Sequence, residues 1–94
     1  MGGLKKSIVE AIKTYNKYRS PEAEAKLIKY EDNELFIEFK GPFCQGCGVY
    51  DYFEDFIYEL KGIVDVEMEI KGVEKIGEEA FRVQYSVGER KDTP

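Results

Sequence analysis

The sequence predicts a two-layer α+β domain in which a four-stranded mixed sheet carries both helices on one face. Apolar residues recur at helical spacing in two stretches, and they alternate with polar residues in four others. The stretches follow the order α-β-β-α-β-β, which is typical of a two-layer α/β sandwich. A right-handed crossover between the second and third strands would leave the other face polar or available to a partner. The single domain is expected to span residues 1–88, with a disordered tail over residues 89–94.

The first part of the chain is predicted to form a helix and a β-hairpin. Apolar side chains at helical spacing, with lysines between them, favour an amphipathic helix over residues 4–18. A Ser-Pro pair ends this helix, because the residue before a proline is disfavoured in the helical conformation. Strand character follows over residues 23–30 and 35–40, and Asp32-Asn33 supplies turn residues between them. The result is a β-hairpin with one face exposed to solvent.

A second helix is predicted from Val49. Its apolar period places Phe53, Phe56, Ile57 and Leu60 on one helical face, most simply as core, and Gly62 is well placed to stop the helix. The aromatic residues could instead form a docking surface for a client protein, and they are Tyr50, Tyr52, Phe53, Phe56 and Tyr58. The apolar and aromatic residues of the stretch are Tyr50, Tyr52, Phe53, Phe56, Ile57, Tyr58 and Leu60.

Two further strands complete the predicted sheet. Alternation of apolar and charged residues indicates strands over residues 64–70 and 81–87, joined by a loop around Gly72 and Gly77. The acidic residues of this region read as a solvated strand face and loop. They are Glu67, Glu69, Glu74, Glu78 and Glu79.

Composition excludes several classes of function. The 94 residues carry a net charge of −5, so binding to nucleic-acid phosphates has no electrostatic support. The absence of histidine excludes Ser-His and Cys-His nucleophiles. No stretch approaches the ~20 apolar residues of a membrane span, and we expect a cytoplasmic protein without membrane contact. The abundance of Lys, Glu and Ile with few Asn and Gln is a thermophile-like composition.

The two cysteines, Cys44 and Cys47, form a C-x-x-C motif in a glycine-rich turn between a strand and a helix. In a reducing compartment such a pair indicates metal binding or redox chemistry. Gly41 and Gly46 would shape the turn, and the positive end of the following helix would favour the thiolate form. Two thiolates are half of a four-ligand site. A second chain or a carboxylate such as Asp51 would complete the site, or the two thiols bind nothing.

Residues 39–47, with the sequence FKGPFCQGC, carry a resemblance to a known family. Preceded by a helix and hairpin and followed by a helix and a Val-Asp-Val-Glu strand, they resemble the NifU C-terminal domain family of iron-sulfur cluster scaffolds. The match spans roughly residues 4–70. Phe39 and Gly41 stand where the strand end and glycine of that family stand, and Cys44 and Cys47 take the positions of its cluster ligands.

The resemblance implies a homodimer in which Cys44 and Cys47 of two chains ligate a [4Fe-4S] cluster. The cluster would come from the assembly machinery and pass to an apo-protein client, so that the protein is a carrier and not an enzyme. The ligand count agrees, because two chains supply the four thiolates that such a cluster requires. Phe43 could shield the cluster from solvent.

Other functions of the same motif stay open. A C-x-x-C pair at a helix start is also the site of thiol-disulfide exchange, although no proline lies between the motif and the tail to serve as the cis-proline of thioredoxin-like folds. Zinc bridging two chains would use the same thiolates. Buried inert thiols, or an adaptor domain that has lost cluster binding, need no ligand at all. A KH-like nucleic-acid module is disfavoured by the lack of a G-x-x-G loop and a basic surface.

Overall fold

The structure is a computed structural model that describes residues 3–20, 22–42 and 49–89. The predicted α+β class and the order α-β-β-α-β-β are confirmed. β4 continues through Glu89, the first residue of the predicted tail, and the rest of that tail lies outside the described residues. The elements are α1 (Gly3–Arg19), β1 (Glu24–Glu31), β2 (Glu34–Lys40), α2 (Val49–Lys61), β3 (Val66–Gly77) and β4 (Ala80–Glu89).

The sheet has the strand order β1-β2-β4-β3, and every pair of neighbouring strands is antiparallel. The expectation of a mixed sheet was therefore wrong. β2 and β3 do run in the same direction, as the helical crossover between them requires, but β4 lies between them and pairs with both. The crossover skips one strand position, which the last strand then fills.

Both helices pack on one face of this sheet, as predicted. The Phe39 ring of β2 lies 5.6 Å from the ring centroid of Tyr15 on α1 and 5.1 Å from that of Phe53 on α2. The buried side chains form one continuous cluster between the two layers. Its largest fully buried members are Tyr15, Tyr85, Phe39, Phe53, Phe56, Ile8, Leu35, Ile37, Leu60, Val83 and Val87.

The hairpin of β1 and β2 turns at Asp32 and Asn33, as predicted. Their φ angles of 55° and 64° are those of a two-residue turn with positive φ at both central positions, which matches the twist of the strands. At the other end of the hairpin, the Asn16 side chain on α1 pairs with one residue of the outer edge of β1. Its amide nitrogen donates to the Ala25 carbonyl at 3.0 Å, and its oxygen accepts from the Ala25 N–H at 2.6 Å. The outward backbone groups of this edge residue are thus paired.

The predicted loop around Gly72 and Gly77 is instead strand. β3 continues to Gly77, and only residues 78–79 form the turn into β4. The register shifts between Ile70 and Gly72 and again before Gly77. Each shift is a bulge that takes up an extra residue, so the alternation that marks a strand in the sequence is broken while the pairing continues.

α2 ends as predicted and buries the predicted face. The Gly62 N–H donates to the Tyr58 carbonyl at 3.0 Å, which closes the last turn of the helix. Phe53, Phe56 and Leu60 are fully buried and Ile57 is half-buried against the core, whereas Tyr50 at the start of the apolar period is 55% exposed. Neither helix has the length and apolar content needed to cross a membrane, among the residues that the structure describes.

Candidate functional site

The predicted cysteine site lies in the connection between β2 and α2. Cys44, Gly46 and Cys47 belong to residues 43–48, which lie outside the described residues, and Gly41 lies within them. The two ends of the connection are described in full. They are the last residues of β2 with Gly41 and Pro42, and the first turn of α2 from Val49.

Gly41 fixes the β2 end of the connection. Its φ of 140° lies in a region that side-chain-bearing residues rarely adopt. A Cβ at this position would overlap the Glu22 carbonyl group, coming within 2.9 Å of its carbon. The Gly41 N–H also donates to the Glu79 carbonyl at 3.0 Å. The backbone therefore leaves β2 through a position that only glycine fits.

Phe39 anchors the same end in the core. Its side chain has no exposed surface, and its ring contacts Tyr15, Phe53 and Phe56 at centroid distances of 5.6, 5.1 and 6.5 Å. Aromatic rings at these distances and inclined to each other attract through their edges and faces. Residue 39 is thus held from both helices, two residues before the glycine.

Tyr52 fixes the α2 end of the connection. Its hydroxyl donates to the Glu22 carboxylate at 3.1 Å, and its carbonyl accepts from the Tyr15 hydroxyl at 3.0 Å. Glu22 is the residue whose carbonyl packs against Gly41. One short segment before β1 therefore contacts both ends of the cysteine connection.

An ion pair joins the two helices beside this segment. The Arg19 guanidinium donates to the Asp55 carboxylate at 2.8 Å and lies over the Tyr15 ring, 5.6 Å from its centroid. Neither this pair nor the bond from Tyr52 to Glu22 was predicted. The sequence indicates that Tyr52 lies off the core face of α2 and can bond outside the core. It does not indicate that Glu22 is the residue beside it.

Burial dominates the electrostatics of the core tyrosines. It raises the pKa of Tyr15 above the ordinary value of 10.0 and raises the pKa of Tyr85 well above it. The Tyr85 hydroxyl donates to the Phe53 carbonyl at 2.8 Å inside the core. Desolvation, and then the hydrogen bond to Glu22, also raises the pKa of Tyr52. The hydroxyls of Tyr15 and Tyr85 therefore stay protonated while the protein is folded at neutral pH.

We expect alkaline pH to destabilise the protein through Tyr15 and Tyr85. Above pH 10.0 these groups ionise in the unfolded chain but keep their protons when folded, so the free energy of unfolding falls as pH rises. The slope approaches roughly 1.4 kcal/mol per pH unit for each tyrosine, and below pH 10.0 this contribution is fully present. Urea unfolding on both sides of pH 10.0 measures it. Tyr85→Phe should reduce the slope, whereas equal slopes in Tyr85→Phe and the exposed control Tyr58→Phe would contradict the assignment.

Acidic side chains do not form a metal site in the described part of the chain. No group of three or more His, Cys, Asp or Glu side chains that could hold a metal ion occurs within residues 3–20, 22–42 and 49–89. Asp51 is exposed in the first turn of α2. The acidic residues of β3 and its turn are exposed, as predicted, and Glu74 pairs with Arg82.

Comparison of the chain with family models, with curated proteins and with solved structures found no match. The resemblance to the NifU C-terminal domain family therefore rests on residues 39–47 and the order of the elements. That order is confirmed. The fully buried residues nearest to the cysteine connection are Phe39 on one side and Phe53 on the other.

Proposed function

We propose that the protein is an iron-sulfur cluster carrier that binds its cargo through Cys44 and Cys47. The observation that supports this most is the C-x-x-C motif in a short connection from a buried strand end to the first turn of a helix. The positive end of α2 favours thiolates, which are the form that binds iron. A carrier must expose its ligands to a client protein, and connections at the end of a sheet generally lie on the surface.

The donor set of the chain fits such a cargo when two chains combine. Each chain supplies two thiolates and no histidine. Four thiolates from two chains make the complete ligand set of a [4Fe-4S] cluster. The protein would thus act as a homodimer when loaded, and we propose a cytoplasmic carrier without catalytic activity.

Anchoring at both ends supports a binding role for the connection. Gly41 and Phe39 hold it on the side of the sheet, and Tyr52 holds it on the side of the helix through Glu22. A binding segment whose ends are fixed loses less conformational entropy when it closes around a ligand. Clients would be apo-proteins that offer their own thiolates, with transfer by stepwise ligand exchange.

Replacing either cysteine tests this proposal. We expect Cys44→Ser and Cys47→Ser each to abolish cluster binding, because one exchange leaves two of the four ligands of the dimer as poor hydroxyl donors. Anaerobic reconstitution with iron and sulfide, followed by visible absorption, measures the loss. Melting temperatures should stay within a few degrees of the wild type, because neither cysteine lies on a predicted core stripe.

Three results of this experiment would reject the proposal. A colourless wild-type protein would exclude the cargo, and equal iron in the wild type and both variants would place it elsewhere. A large loss of thermal stability in Cys47→Ser would indicate a buried structural thiol. Zinc at the same thiolates is the competing ligand, and elemental analysis of the same samples separates it from iron.

A further inference from the structure

The face of the sheet opposite to the helices, which we call the open face, carries one cross-strand row of alternating charge. Lys26 of β1 lies opposite Glu38 of β2, Glu38 lies opposite Arg82 of β4, and Arg82 lies opposite Glu74 of β3. The row therefore reads plus, minus, plus, minus from one edge of the sheet to the other. Arg82 donates to Glu74 at 2.5 Å, and the Arg82 side chain remains 43% exposed, with further N–H donors to offer.

The next row on the open face has a raised half and a recessed half. The half-buried ring of Phe36 stands on β2, opposite Gln84 of β4, and Gln84 lies opposite Gly72 of β3. A depression of about 210 Å³ lies between Phe36 and Gly72. A Cβ at Gly72 would lie 3.8 Å from Oε1 of Gln84, an ordinary contact. Glycine at position 72 therefore leaves space on the open face, although the fold would accept a side chain there.

We propose that the open face is the interface of a homodimer, with the two-fold axis parallel to the strands and midway between β2 and β4. This axis exchanges β1 with β3 and β2 with β4, so that every member of the charge row meets the opposite charge. Lys26 faces the partner's Glu74, and Glu38 faces the partner's Arg82. The same axis places Phe36 over the partner's Gln84, beside its depression. The charges and the shape of the open face are thus self-complementary about one axis, as an isologous interface requires.

The size of the face makes this dimer a reversible one. Four strands at their usual spacing and rise offer about 500 Å² per protomer, or about 1,000 Å² in total. That is the lower limit for a specific interface. The row beyond Phe36 runs from Glu31 of β1 to Glu69 of β3. In the dimer Glu31 faces the partner's Glu69, and this pair of like charges weakens the association further. We therefore expect a dimer that dissociates on dilution.

The proposed axis brings the cysteine connections of the two chains to the same end of the dimer, and the importance of this placement rests on the proposed function. An axis parallel to the strands leaves the ends of both β2 strands at the same end of the dimer. Packed sheets are roughly 10 Å apart, so the two Lys40 residues come close to each other. The connections that follow them then start from the same end, as a cluster shared between two chains needs.

Two single charge reversals test the interface. Lys26→Glu places like charges opposite the partner's Glu74, and Glu74→Lys places like charges opposite the partner's Lys26. Each should raise the dimer dissociation constant at least about tenfold. An equimolar mixture of the two variants restores opposite charges at all four positions of the row. Sedimentation velocity of reduced, metal-free protein should therefore show monomers for each variant alone and dimers for the mixture.

Matched controls carry the same charge changes on the helices. Lys13→Glu and Glu54→Lys alter exposed positions of α1 and α2 and should dimerise like the wild type. Gly72→Val tests the relief independently, because its side chain fills the depression while the charges stay intact, and it should also be monomeric. Thermal melts of all variants confirm that each one is folded.

The outcomes separate the interface from the proposed function. A wild type, or a mixture of Lys26→Glu and Glu74→Lys, that stays monomeric up to the highest concentration of a dilution series would overturn the interface. Dimers of the apo-protein that persist in Cys44→Ser support the interface whatever the cysteines bind. A loaded dimer that Glu74→Lys and Gly72→Val leave unchanged would overturn the interface and leave the carrier function standing.

Discussion

Gly41→Ala is expected to destabilise the protein by about 3 kcal/mol, because the new Cβ meets backbone atoms and not a side chain that can move. The Cβ would overlap the Glu22 carbonyl, and the φ of 140° is itself strained for alanine. For a domain of this size the melting temperature should fall by roughly 15 °C. Thermal unfolding followed by circular dichroism measures the change.

Gly62→Ala is the matched control for this prediction. A Cβ at Gly62 would lie 3.5 Å from the Glu59 and Tyr58 carbonyl oxygens, which is ordinary contact. The substitution should leave stability unchanged or raise it slightly, since alanine lowers the entropy of the unfolded chain. Equal melting temperatures for Gly41→Ala and Gly62→Ala would show that the backbone at Gly41 can relax, and that it does not fix the connection.

Phe39→Ala is expected to have the largest effect on stability, about 3–5 kcal/mol. The ring is fully buried and contacts Tyr15, Phe53 and Phe56, so its removal leaves a cavity between the sheet and both helices. Since small domains have only about 5–15 kcal/mol in total, the substitution should remove a large part of the free energy of unfolding. Urea unfolding measures the difference.

Phe36→Ala provides the comparison within the same strand. Phe36 is half-buried on the open face, three residues before Phe39, and the same truncation there should cost well under half as much in dilute, monomeric protein. Similar losses for both variants would contradict the assignment of the two faces of β2. A loss in Phe36→Ala that grows with protein concentration would report on the dimer instead.

Local patterns were sufficient to predict the elements and the core. The helical period of α2 predicts Phe53, Phe56, Ile57 and Leu60 as core, of which Ile57 is only half-buried. Strict alternation in β2 gives Leu35, Ile37 and Phe39. These positions are set by the repeat of each element, which the sequence displays directly. The positive φ angles at Asp32 and Asn33 likewise follow from residue types that tolerate them.

Features that depend on distant parts of the chain were not predicted. The bulges near Gly72 and Gly77 hide the second half of β3, because an extra residue shifts the alternation while the pairing with β4 continues. The place of β4 between β2 and β3, which makes the sheet antiparallel, depends on a long-range pairing. The contact of Glu22 with both Gly41 and Tyr52 joins segments far apart in sequence.

At the cysteine site the sequence predicts the pair Cys44 and Cys47, which lies outside the described residues, and it does not predict the packing beside that pair. The spacing of Cys44 and Cys47 and the glycine before them indicate a binding turn. The reason that position 41 must be glycine is the Glu22 backbone beside it, which no local pattern reveals. The open face was expected to be polar or available to a partner, but its charge row appears only once the register of all four strands is known.

The most direct test of the central proposal is the stoichiometry of the loaded protein. Iron and acid-labile sulfide per chain, measured together with the molar mass by light scattering under anaerobic conditions, give the cargo and the assembly at once. We predict about two iron and two sulfide per chain in a dimer, which is one four-iron cluster held by two chains. A protein that binds neither iron nor sulfide after reconstitution would contradict the account.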